Sequence, residues 1–472
     1  MSRLFGTDGI RGIANRDLTA ELALRLGRAA GHVLGGQGHR VVIGRDTRRS
    51  GRMLESALAA GLCSVGMEVR LVGHVPTPGL AYLTRTQGFV AGAVISASHN
   101  PAPDNGIKFF DQGGLKLADA VEARIEELMT GDDALPRPTE GGIGLVGDAR
   151  GLVRGYEDFL LTKAPDLSGL RIVLDCGNGA TYRVAPSVFA HAGAEVITLC
   201  DTPDGLNIND HCGSTYPERL QGAVVERGAD VGFAFDGDGD RLVLADAAGE
   251  LHDGDIVLAL AARHFARAGR LRPKLVVGTV MTNGGTEATL RREGIDLVRT
   301  PVGDRYVWEK MDELGAQFGG EPSGHVIFRE HATTGDGILT ALEILHVAKA
   351  EGRGIRELAA EVERWPQSLV AVRVARRAEW ESVPAFRKEY DEARATLEKG
   401  GGRVLVRPSG TEPVLRILVE SRVGTSPRPR PSAWRASPRR RSSDPPTGRV
   451  SRCAGSSGTS DRVTPRRSWW AD

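Results

Sequence analysis

One arrangement recurs three times along this chain of 472 residues and restricts the folds that it can adopt. A short apolar, β-rich segment is followed by a segment with helical periodicity and by further apolar segments, the last of which ends in a polar, glycine-rich loop. Alternation of this kind is typical of α/β layers. The three polar loops contain Ser98, Asp236 and Glu321. The chain is therefore predicted to contain three similar α/β units.

The recurring unit can be followed through residues 41–314. Ser50 precedes the first helical segment, and we expect its side chain to cap that helix. Because ligand sites in open α/β sheets lie beyond the carboxyl ends of strands, we expect the three polar loops to meet in one central cleft. Generic similarity among β-α-β units is the alternative explanation of the repeat. The predicted elements are strands at 41–43, 68–72, 88–95, 171–174, 195–199, 229–235, 274–278 and 296–299, and helices at 50–66, 185–192, 286–293 and 306–314.

Residues 366–420 follow a different pattern. A strand at 368–374 precedes a charged helix at 383–399, and two strands at 403–406 and 414–419 follow, which indicates a smaller α+β domain. A stretch rich in Pro and Gly, residues 135–151, separates the first two α/β units. The predicted domains are 1–150, with the serine loop, 151–255, with the aspartate loop, 256–365, with the glutamate loop, and 366–420.

The last segment, residues 421–472, is dominated by Arg, Ser, Pro and Gly, and it has no Lys. This composition cannot bury enough apolar surface to fold, so we predict a disordered basic tail. A change of reading frame in a GC-rich gene would give the same composition, and an arm for an anionic partner is the alternative. Without the tail the chain is acidic overall, which argues against nucleic-acid binding by the body.

Cysteine use and hydropathy indicate the compartment. The cysteines show no C-x-x-C pair and are odd in number, which is typical of reduced thiols in a cytosolic protein. No apolar run approaches the length of a membrane span, and the N-terminus lacks the apolar core of a secretory signal. We therefore expect a cytoplasmic protein that does not enter a membrane. The five cysteines are Cys63, Cys176, Cys200, Cys212 and Cys453.

The serine loop, residues 96–101, ends an apolar strand with the sequence Ser-Ala-Ser-His-Asn-Pro. Pro101 blocks continuation of a helix or a ladder, so the polar groups stay at the strand end. A serine held there could be a nucleophile or a phosphate carrier, although an ordinary Ser/Asn turn has the same composition. The two other loops, together with a fourth at 407–413, favour a phosphoryl-transfer site for a phosphorylated sugar.

The aspartate loop, residues 236–241, alternates Asp236, Asp238 and Asp240 with glycines. Extended spacing places the three carboxylates on one side, and the glycines let the loop curl until they converge. Three hard oxygen ligands suit Mg²⁺. An EF-hand is excluded, because Arg241 occupies the position of its invariant Gly and Ala247 that of its bidentate Glu. The remaining alternative is an acidic turn without a metal.

The glutamate loop, residues 320–325, and the loop 407–413 offer groups that recognise a sugar phosphate. Glu321 and Ser323 lie between glycines and are suited to binding vicinal sugar hydroxyls, and His325 is either a general base or a hydrogen-bonded loop histidine. The sequence Arg-Pro-Ser-Gly-Thr-Glu-Pro at 407–413, with Arg416 nearby, combines guanidinium and hydroxyl donors in a phosphate cradle. The same loop is also a hairpin connection, and the two interpretations are compatible.

The sequence Gly-Ile-Gly-Leu-Val-Gly at 142–147 matches the G-x-G-x-x-G pattern of dinucleotide-binding proteins. It follows a Pro-rich linker rather than a strand, which argues against a dinucleotide site. The chain contains neither a Walker A sequence nor H-E-x-x-H.

The four loops, in this order, resemble those of the α-D-phosphohexomutase superfamily. The opening Arg-Leu-Phe-Gly-Thr-Asp-Gly-Ile-Arg-Gly, residues 3–12, is similar to that of its bacterial phosphoglucosamine mutase subgroup, and the resemblance extends over residues 1–420. It implies four domains around a central cleft, the first three being similar α/β units. It also implies a Mg²⁺-dependent isomerase and a homodimer.

The resemblance also implies roles for individual residues. Ser98 matches the serine that becomes phosphorylated, with Ser96 expected to stay unmodified. Asp236, Asp238 and Asp240 match the Mg²⁺ ligands, with a phosphoserine oxygen as the fourth. Pro322 stands where the subgroup more often has Gln. The other matching positions are Glu321 and Ser323 in the sugar-binding loop, Arg407, Ser409, Gly410, Thr411 and Arg416 at the distal phosphate, and Lys108 and Arg11 beside the phosphoserine.

The implied reaction interconverts glucosamine 6-phosphate and glucosamine 1-phosphate, and so supplies UDP-N-acetylglucosamine and cell-wall synthesis. Glucosamine 1,6-bisphosphate is the intermediate and the activator, and it must turn over within the cleft. Either His325 or Lys108 could carry the hydroxyl proton. The alternatives are a related mutase that prefers mannose or glucose phosphates, a binder of sugar phosphates without turnover, and a tail-dependent anion-binding protein.

The chain departs from the superfamily after Glu420, where a helix usually completes the last domain. Here the Arg- and Pro-rich tail takes its place. Loss of a packed amphipathic helix could cost several kcal/mol. We therefore expect weakened stability of residues 366–420 and reduced activity.

Overall fold

The computed structural model of the protein describes residues 4–6, 8–131, 134–374, 377–408 and 414–422. The predicted disordered tail therefore lies outside the described residues, apart from residues 421 and 422. The chain divides into two units between Arg364 and Trp365. The first unit contains three sheets and the second contains one. Within the described part of the chain, we find no helix whose length and hydropathy would let it span a bilayer.

The first sheet has six strands in the order β1-β5-β4-β2-β3-β6. The central strands β2, β3 and β4 are parallel, whereas β5 is antiparallel to β4 and β1. The strands are β1 (Ile10–Ile13), β2 (Arg40–Arg45), β3 (Glu68–His74), β4 (Ala91–Ile95), β5 (Asp104–Asp111) and β6 (Val146–Asp148), and the helices are α1 (Ala20–Val33), α2 (Gly51–Cys63), α3 (Thr77–Thr86) and α4 (Asp119–Thr130).

The second sheet has five strands in the order β11-β10-β9-β7-β8. Strand β7 is parallel to β8 and β9, and β10 returns antiparallel to β9. The strands are β7 (Arg171–Asp175), β8 (Glu195–Leu199), β9 (Val231–Phe235), β10 (Leu242–Asp246) and β11 (Leu251–His252), and the helices are α5 (Val153–Lys163), α6 (Val184–His191), α7 (Glu218–Arg227) and α8 (Gly254–Arg267).

The third sheet has four strands in the order β13-β12-β14-β15. One hydrophobic core joins it to the second sheet, because α8 and a later helix, α11 (Gly337–Glu351), carry buried side chains on almost every face. The strands are β12 (Leu275–Thr279), β13 (Asp296–Thr300), β14 (Phe318–Gly320) and β15 (Val326–Phe328), and the helices are α9 (Gly284–Arg292), α10 (Asp304–Leu314), α11 (Gly337–Glu351) and α12 (Ile355–Ala359).

The described part of the second unit contains an antiparallel sheet of three strands, in the order β16-β18-β17, a 3-10 segment at Arg377–Ser382 and one α-helix. Tyr390 and Leu397 of the helix pack against a small apolar cluster that includes Val404 and Ile417. The elements are β16 (Gln367–Arg373), α13 (Pro384–Lys399), β17 (Arg403–Pro408) and β18 (Val414–Glu420). This is the α+β arrangement that the sequence predicts.

The three polar loops occupy equivalent places in the first three sheets. Each links a strand with a parallel neighbour to a following antiparallel strand: β4 to β5 for the serine loop, β9 to β10 for the aspartate loop, and β14 to β15 for the glutamate loop. The repeat read from the sequence is therefore confirmed as a structural repeat.

Two local expectations have different outcomes. Ser50 stands at the N-terminus of α2, but the prediction that it caps the helix is wrong. Its backbone is already helical, and its hydroxyl accepts a hydrogen bond from Nδ2 of Asn105 at 2.9 Å. The G-x-G-x-x-G segment runs from a short 3-10 turn at Glu140–Gly142 into the edge strand β6, so it does not follow a strand as a dinucleotide-binding turn does.

Candidate active site

The serine loop presents Ser98 to the aspartate loop of the second sheet. Ser98 is 3% exposed, and its backbone adopts the left-handed conformation, with φ 50°. Its hydroxyl donates a hydrogen bond to Oδ2 of Asp236 at 2.6 Å, and its N–H donates to the hydroxyl of Ser96 at 3.0 Å. A left-handed backbone costs a non-glycine residue about 1–3 kcal/mol, so surrounding contacts must hold this conformation.

Arg48 supplies many of those contacts. Its side chain is fully buried and pairs with Asp46, Nε to Oδ2, at 2.9 Å. Its remaining N–H groups donate to backbone carbonyls around the serine loop, including those of Ser98 at 2.9 Å and Asn100 at 2.8 Å. Asp46 also accepts from the hydroxyl of Ser96 at 2.5 Å. The pair therefore fixes both sides of the loop that carries Ser98.

The aspartate loop brings Asp236, Asp238 and Asp240 together. One carboxylate oxygen from each residue lies within 4.8 Å of those of the other two, and all three residues are buried. The hydroxyl of Thr77, at the start of α3, donates to Oδ2 of Asp238 at 2.6 Å. The N–H of Arg241 donates to Oδ1 of Asp236 at 3.2 Å. The convergence expected from the alternation of Asp and Gly is therefore present.

This triad has the electrostatics of a cation site. Burial, followed by repulsion from Asp240, raises the pKa of both Asp236 and Asp238. Among the described residues, Oδ1 of Asp238 and Oδ1 of Asp240 have no hydrogen-bond partner although both atoms are buried. A hard divalent cation would satisfy these oxygens and offset the repulsion, so the residues present fit a bound Mg²⁺.

A cluster of cations lies beside the triad, arranged around Asp8. Oδ1 of Asp8 pairs with Nζ of Lys108 at 3.0 Å and with Nζ of Lys116 at 2.7 Å, and Oδ2 pairs with Arg11. Lys116 also reaches Asp304, at the start of α10, at 2.6 Å. Desolvation raises the pKa of Asp8, but the three cations outweigh it and hold the pKa well below its ordinary value. The cluster thus joins the first sheet to the third.

The glutamate loop closes against the aspartate loop. Oε1 of Glu321 accepts from the N–H of Gly303 at 2.7 Å, and Oε2 accepts from the hydroxyl of Ser323 at 3.2 Å. Gly324 has φ 89°, and a Cβ atom there would lie 1.9 Å from the carbonyl oxygen of Leu242. Only glycine fits this approach, which brings the loop to the first residue of β10.

His325 connects the glutamate loop to the triad. Its Nδ1 lies 3.4 Å from Oδ2 of Asp240, and its Nε2 accepts from the N–H of Gly335 at 3.0 Å. Burial lowers the pKa of this imidazole, but the nearby Asp240 carboxylate outweighs burial and raises it. Both ring nitrogens are thus engaged within the protein, which suits a residue that orients Asp240.

A cavity of about 260 Å³ opens between the first and third sheets, beside His325. Lys116 and Arg305 offer cations to it, Asp304 offers a carboxylate, and Trp308 offers an apolar face. A few polar groups on a concave, partly apolar wall are typical of a small-molecule site.

The distal phosphate cradle falls in the second unit, and the structure describes part of it. Arg407 of β17 and Arg416 of β18 are direct cross-strand partners, and Arg416 is buried. Like charges at such positions repel each other, and an anion bound between them would offset that repulsion. Ser409, Gly410 and Thr411 lie outside the described residues.

Comparison with known proteins identifies the family. The chain matches the phosphoglucomutase/phosphomannomutase α/β/α domain I at residues 2–135, domain II at 154–249, domain III at 253–365 and the C-terminal domain at 369–426. A phosphoglucosamine mutase from Desulforamulus reducens is 54% identical over 426 residues, and the alignment covers 89% of this chain and 96% of that protein. The chain belongs to the phosphoglucosamine mutase family. It is thus a phosphohexomutase, an enzyme of the isomerase class.

A second curated relative and a solved structure support the same family and fold. One from Pelotomaculum thermopropionicum is 53% identical over 429 residues, with coverage of 89% of this chain and 96% of that protein. The crystal structure of a phosphoglucomutase/phosphomannomutase family protein from Burkholderia thailandensis has a TM-score of 0.75 at 26% identity, and it covers 90% of this chain and 94% of that chain. The family and the four-domain fold expected from the four loops are therefore confirmed.

The structure brings together most of the site residues that resemblance to the phosphoglucosamine mutase family implied. Sequence reasoning missed the residues that hold them, although the run Gly-Arg-Asp-Thr-Arg, residues 44–48, at the end of β2 was an available signal. Ser98 meets the aspartates, and Lys108 and Arg11 share Asp8. The supporting residues that were missed are Asp8, Asp46, Arg48, Thr77, Lys116, Asn209 and Asp304.

Proposed function

We propose that this protein interconverts glucosamine 6-phosphate and glucosamine 1-phosphate through a phosphorylated Ser98 and a bound glucosamine 1,6-bisphosphate. The observation that carries the proposal is the hydrogen bond of 2.6 Å from Ser98 Oγ to Asp236 within a buried aspartate triad. The names of the curated relatives support the choice of substrate.

The triad holds the cation in this proposal. Asp236, Asp238 and Asp240 would be its protein ligands, and an oxygen of the phosphorylated Ser98 would complete the set. When bound, Mg²⁺ supplies positive charge that balances the phosphate and the three carboxylates. The two buried carboxylate oxygens without a hydrogen-bond partner, on Asp238 and Asp240, support this assignment.

The cations around Asp8 act on the transferring group. The oxygen of the sugar 1-hydroxyl attacks phosphorus, the bond from phosphorus to Ser98 Oγ breaks, and Ser98 regains a proton. We assign the relay of that proton to Lys108, because its ammonium has three N–H groups and its ion pair with Asp8 uses one of them, whereas each ring nitrogen of His325 has a single site and both are engaged. Arg11 stabilises the phosphoryl oxygens, and its position beside Asp238 and Asp240 supports that role.

Substrate recognition is divided between two places. Glu321 and Ser323 bind sugar hydroxyls after exchanging their internal hydrogen bonds for contacts to the sugar. Arg407 and Arg416, with Ser409, Gly410 and Thr411, bind the phosphate that is not being transferred. This second site recognises a phosphate rather than the orientation of the sugar ring, so the bisphosphate can bind in either direction. In the second direction its 6-phosphate is transferred to Ser98.

Peptide mass spectrometry tests the covalent step. After incubation with glucosamine 1,6-bisphosphate, we expect one phosphate on Ser98 and none in Ser98→Ala. Ser96→Ala is the matched control: it loosens the same loop but keeps the hydroxyl of Ser98, so its phosphate should remain at position 98. A phosphate on another residue would overturn the assignment. A coupled assay with glucosamine, glucose and mannose 6-phosphates tests the sugar preference, which we expect to favour glucosamine.

A further inference from the structure

Three reactive groups lie together in the second sheet, outside the candidate active site. Asp175 ends β7, Cys200 directly follows β8, and Cys212 lies in the loop after it. One carboxylate oxygen of Asp175 and the two sulfur atoms all lie within 4.8 Å of one another. Cys212 is fully buried and Cys200 is half-buried, and neither is part of the reaction proposed above.

We propose that Cys200 and Cys212 form a reversible disulfide that ties together the two ends of the loop 201–211, which we call the tether loop. A disulfide requires sulfur atoms about 2.05 Å apart, which is within reach of two sulfurs already inside 4.8 Å when one of them lies at the edge of a loop.

The same atoms are poorly suited to a metal ion. Both carboxylate oxygens of Asp175 already accept backbone N–H groups, from Gly177 and Gly213, each at 2.9 Å. The guanidinium of Arg219 donates to the sulfur of Cys200 at 3.7 Å, where its charge would repel a metal cation. The geometry therefore favours thiol chemistry over coordination.

The two thiols have different environments that suit different steps. A hydrogen bond from Cys212 lowers the pKa of Cys200, and Arg219 acts in the same direction. The shared hydrogen bond and burial raise the pKa of Cys212. Cys200 is thus the more exposed and the more readily ionised thiol, as expected of an attacking group, and Cys212 is placed to resolve the product.

Hydrogen peroxide is the oxidant in this proposal. The thiolate of Cys200 attacks one peroxide oxygen, the O–O bond breaks, and the departing hydroxide takes a proton to become water. Cys212 then attacks the sulfur of the resulting sulfenic acid, the S–O bond breaks, and the leaving hydroxide takes the proton of Cys212. In sum, two thiols and one peroxide give one disulfide and two waters.

The tether loop contacts the serine loop. Nδ2 of Asn209 donates to the carbonyl oxygen of Ser98 at 2.9 Å and to that of Asn100 at 3.1 Å. The carbonyl of Gly205 accepts from the N–H of Arg49 at 2.9 Å. Closing the disulfide draws the two ends of the tether loop together, against the hydrogen bonds from Asn178 N–H to the carbonyl of Cys200 at 2.6 Å and from Gly213 N–H to Asp175 at 2.9 Å. That movement weakens the support of Ser98, a consequence that rests on the function proposed above.

Tryptic peptide mapping tests the disulfide directly. Cleavage after Arg183 and Arg219 gives a peptide, 184–219, that contains Cys200 and Cys212 and no other cysteine. After treatment of the purified protein with a small excess of peroxide, this peptide should lose two hydrogens, about 2 Da, and a thiol reductant should restore them. In Cys212→Ser, a sulfenic acid on Cys200 should be trapped by dimedone.

Other results of the mapping would overturn the proposal. One is a peptide 184–219 that keeps both free thiols while Cys63, the buried cysteine of α2, is oxidised. Another is a cross-link to the peptide 172–183 that contains Cys176.

Mutase activity tests the coupling to Ser98. Oxidation should lower kcat of the wild-type protein roughly tenfold, as expected for a displaced catalytic group, and the thiol reductant should restore it. The double variant Cys200→Ser/Cys212→Ser should not respond to peroxide, whereas Cys63→Ser should respond like the wild type. Full activity of a protein shown to carry the disulfide would refute the coupling. A reduced protein without mutase activity would instead contradict the proposed function, and the peptide masses would still decide the disulfide.

Discussion

Arg48 makes the strongest test of how the serine loop is held, because it contacts no reacting atom. We predict that Arg48→Lys lowers kcat much more than it changes KM. The guanidinium pairs with Asp46 and donates to the carbonyl oxygens of Ser98, Asn100, Pro101 and Asp104. A lysine keeps the charge but offers three donors from one atom, so it cannot reach all of these acceptors.

The size of the effect follows from those contacts. Leaving two buried carbonyls without a donor costs roughly 1–3 kcal/mol each, which predicts a loss of about 3 kcal/mol in the free energy of unfolding. A serine loop displaced by about 1 Å would lower kcat roughly a hundredfold. Urea denaturation measures the first quantity, and steady-state assays at temperatures where the variant is fully folded measure the second.

Arg263→Lys is the matched control. Arg263 of α8 is also a buried, ion-paired arginine, bonded to Glu293, which follows α9, and to Glu361, which follows α12. We expect this variant to lose stability and to keep its kcat. If Arg48→Lys retains wild-type kcat, or if Arg263→Lys loses as much activity, the argument that Arg48 positions Ser98 is refuted.

The remaining predictions concern the metal, the proton, pH and the second unit. Asp238→Asn should raise the Mg²⁺ concentration for half-maximal activity by at least roughly tenfold, and Mn²⁺ binding followed by electron paramagnetic resonance should weaken in parallel; unchanged Mn²⁺ affinity would contradict the site. Lys108→Met should lower kcat by roughly 10²–10⁴-fold and His325→Gln by less, as measured in the coupled assay, and the reverse order would exchange their roles. Burial raises the pKa of Glu343 from 4.5 to about 7, so the folded protein keeps a proton that the unfolded chain releases, and stability falls as pH rises between those values. Urea denaturation should therefore show Glu343→Gln gaining about 3 kcal/mol over the wild type from pH 4.5 to 7 and no more above it, and an equal difference at both pH values would contradict this. Limited proteolysis should cut residues 366–420 before the body, and equal resistance would show that the altered C-terminus does no harm.

The sequence was sufficient for the repeated framework because its signals are local. Apolar strands followed by glycine-rich loops predict where Ser98, Asp236 and Glu321 stand, and strand ends bring them together. The return strands β5, β10 and β15 were not predicted. They continue directly from the polar loops, and β5 begins with mixed polar residues whose burial depends on neighbouring strands.

The supporting residues could not be found for a different reason. Arg48 contacts residues 50 or more positions away in the chain, and Asn209 reaches Ser98 across 111 positions. Asp8 has no local pattern that marks it as the centre of three cations from two strands and a loop. For Ser50 the local pattern was present but misleading. The pattern predicts a helix cap, whereas the hydroxyl instead accepts a hydrogen bond from Asn105 of β5. Partners that are remote in sequence determine the positions and hydrogen bonds of these side chains, and no local sequence pattern specifies them.

The equivalent placement of three loops has a consequence for how such an enzyme can change. In the function proposed above, storage of the phosphoryl group, anchoring of the cation and choice of the sugar each belong to a separate link between two strands of a separate sheet. Exchanging residues 320–325 for another sequence of equal length would alter preference among hexoses without rebuilding the strands on either side. A new sugar specificity can therefore arise from a few substitutions in one loop, while the residues that transfer the phosphoryl group stay unchanged.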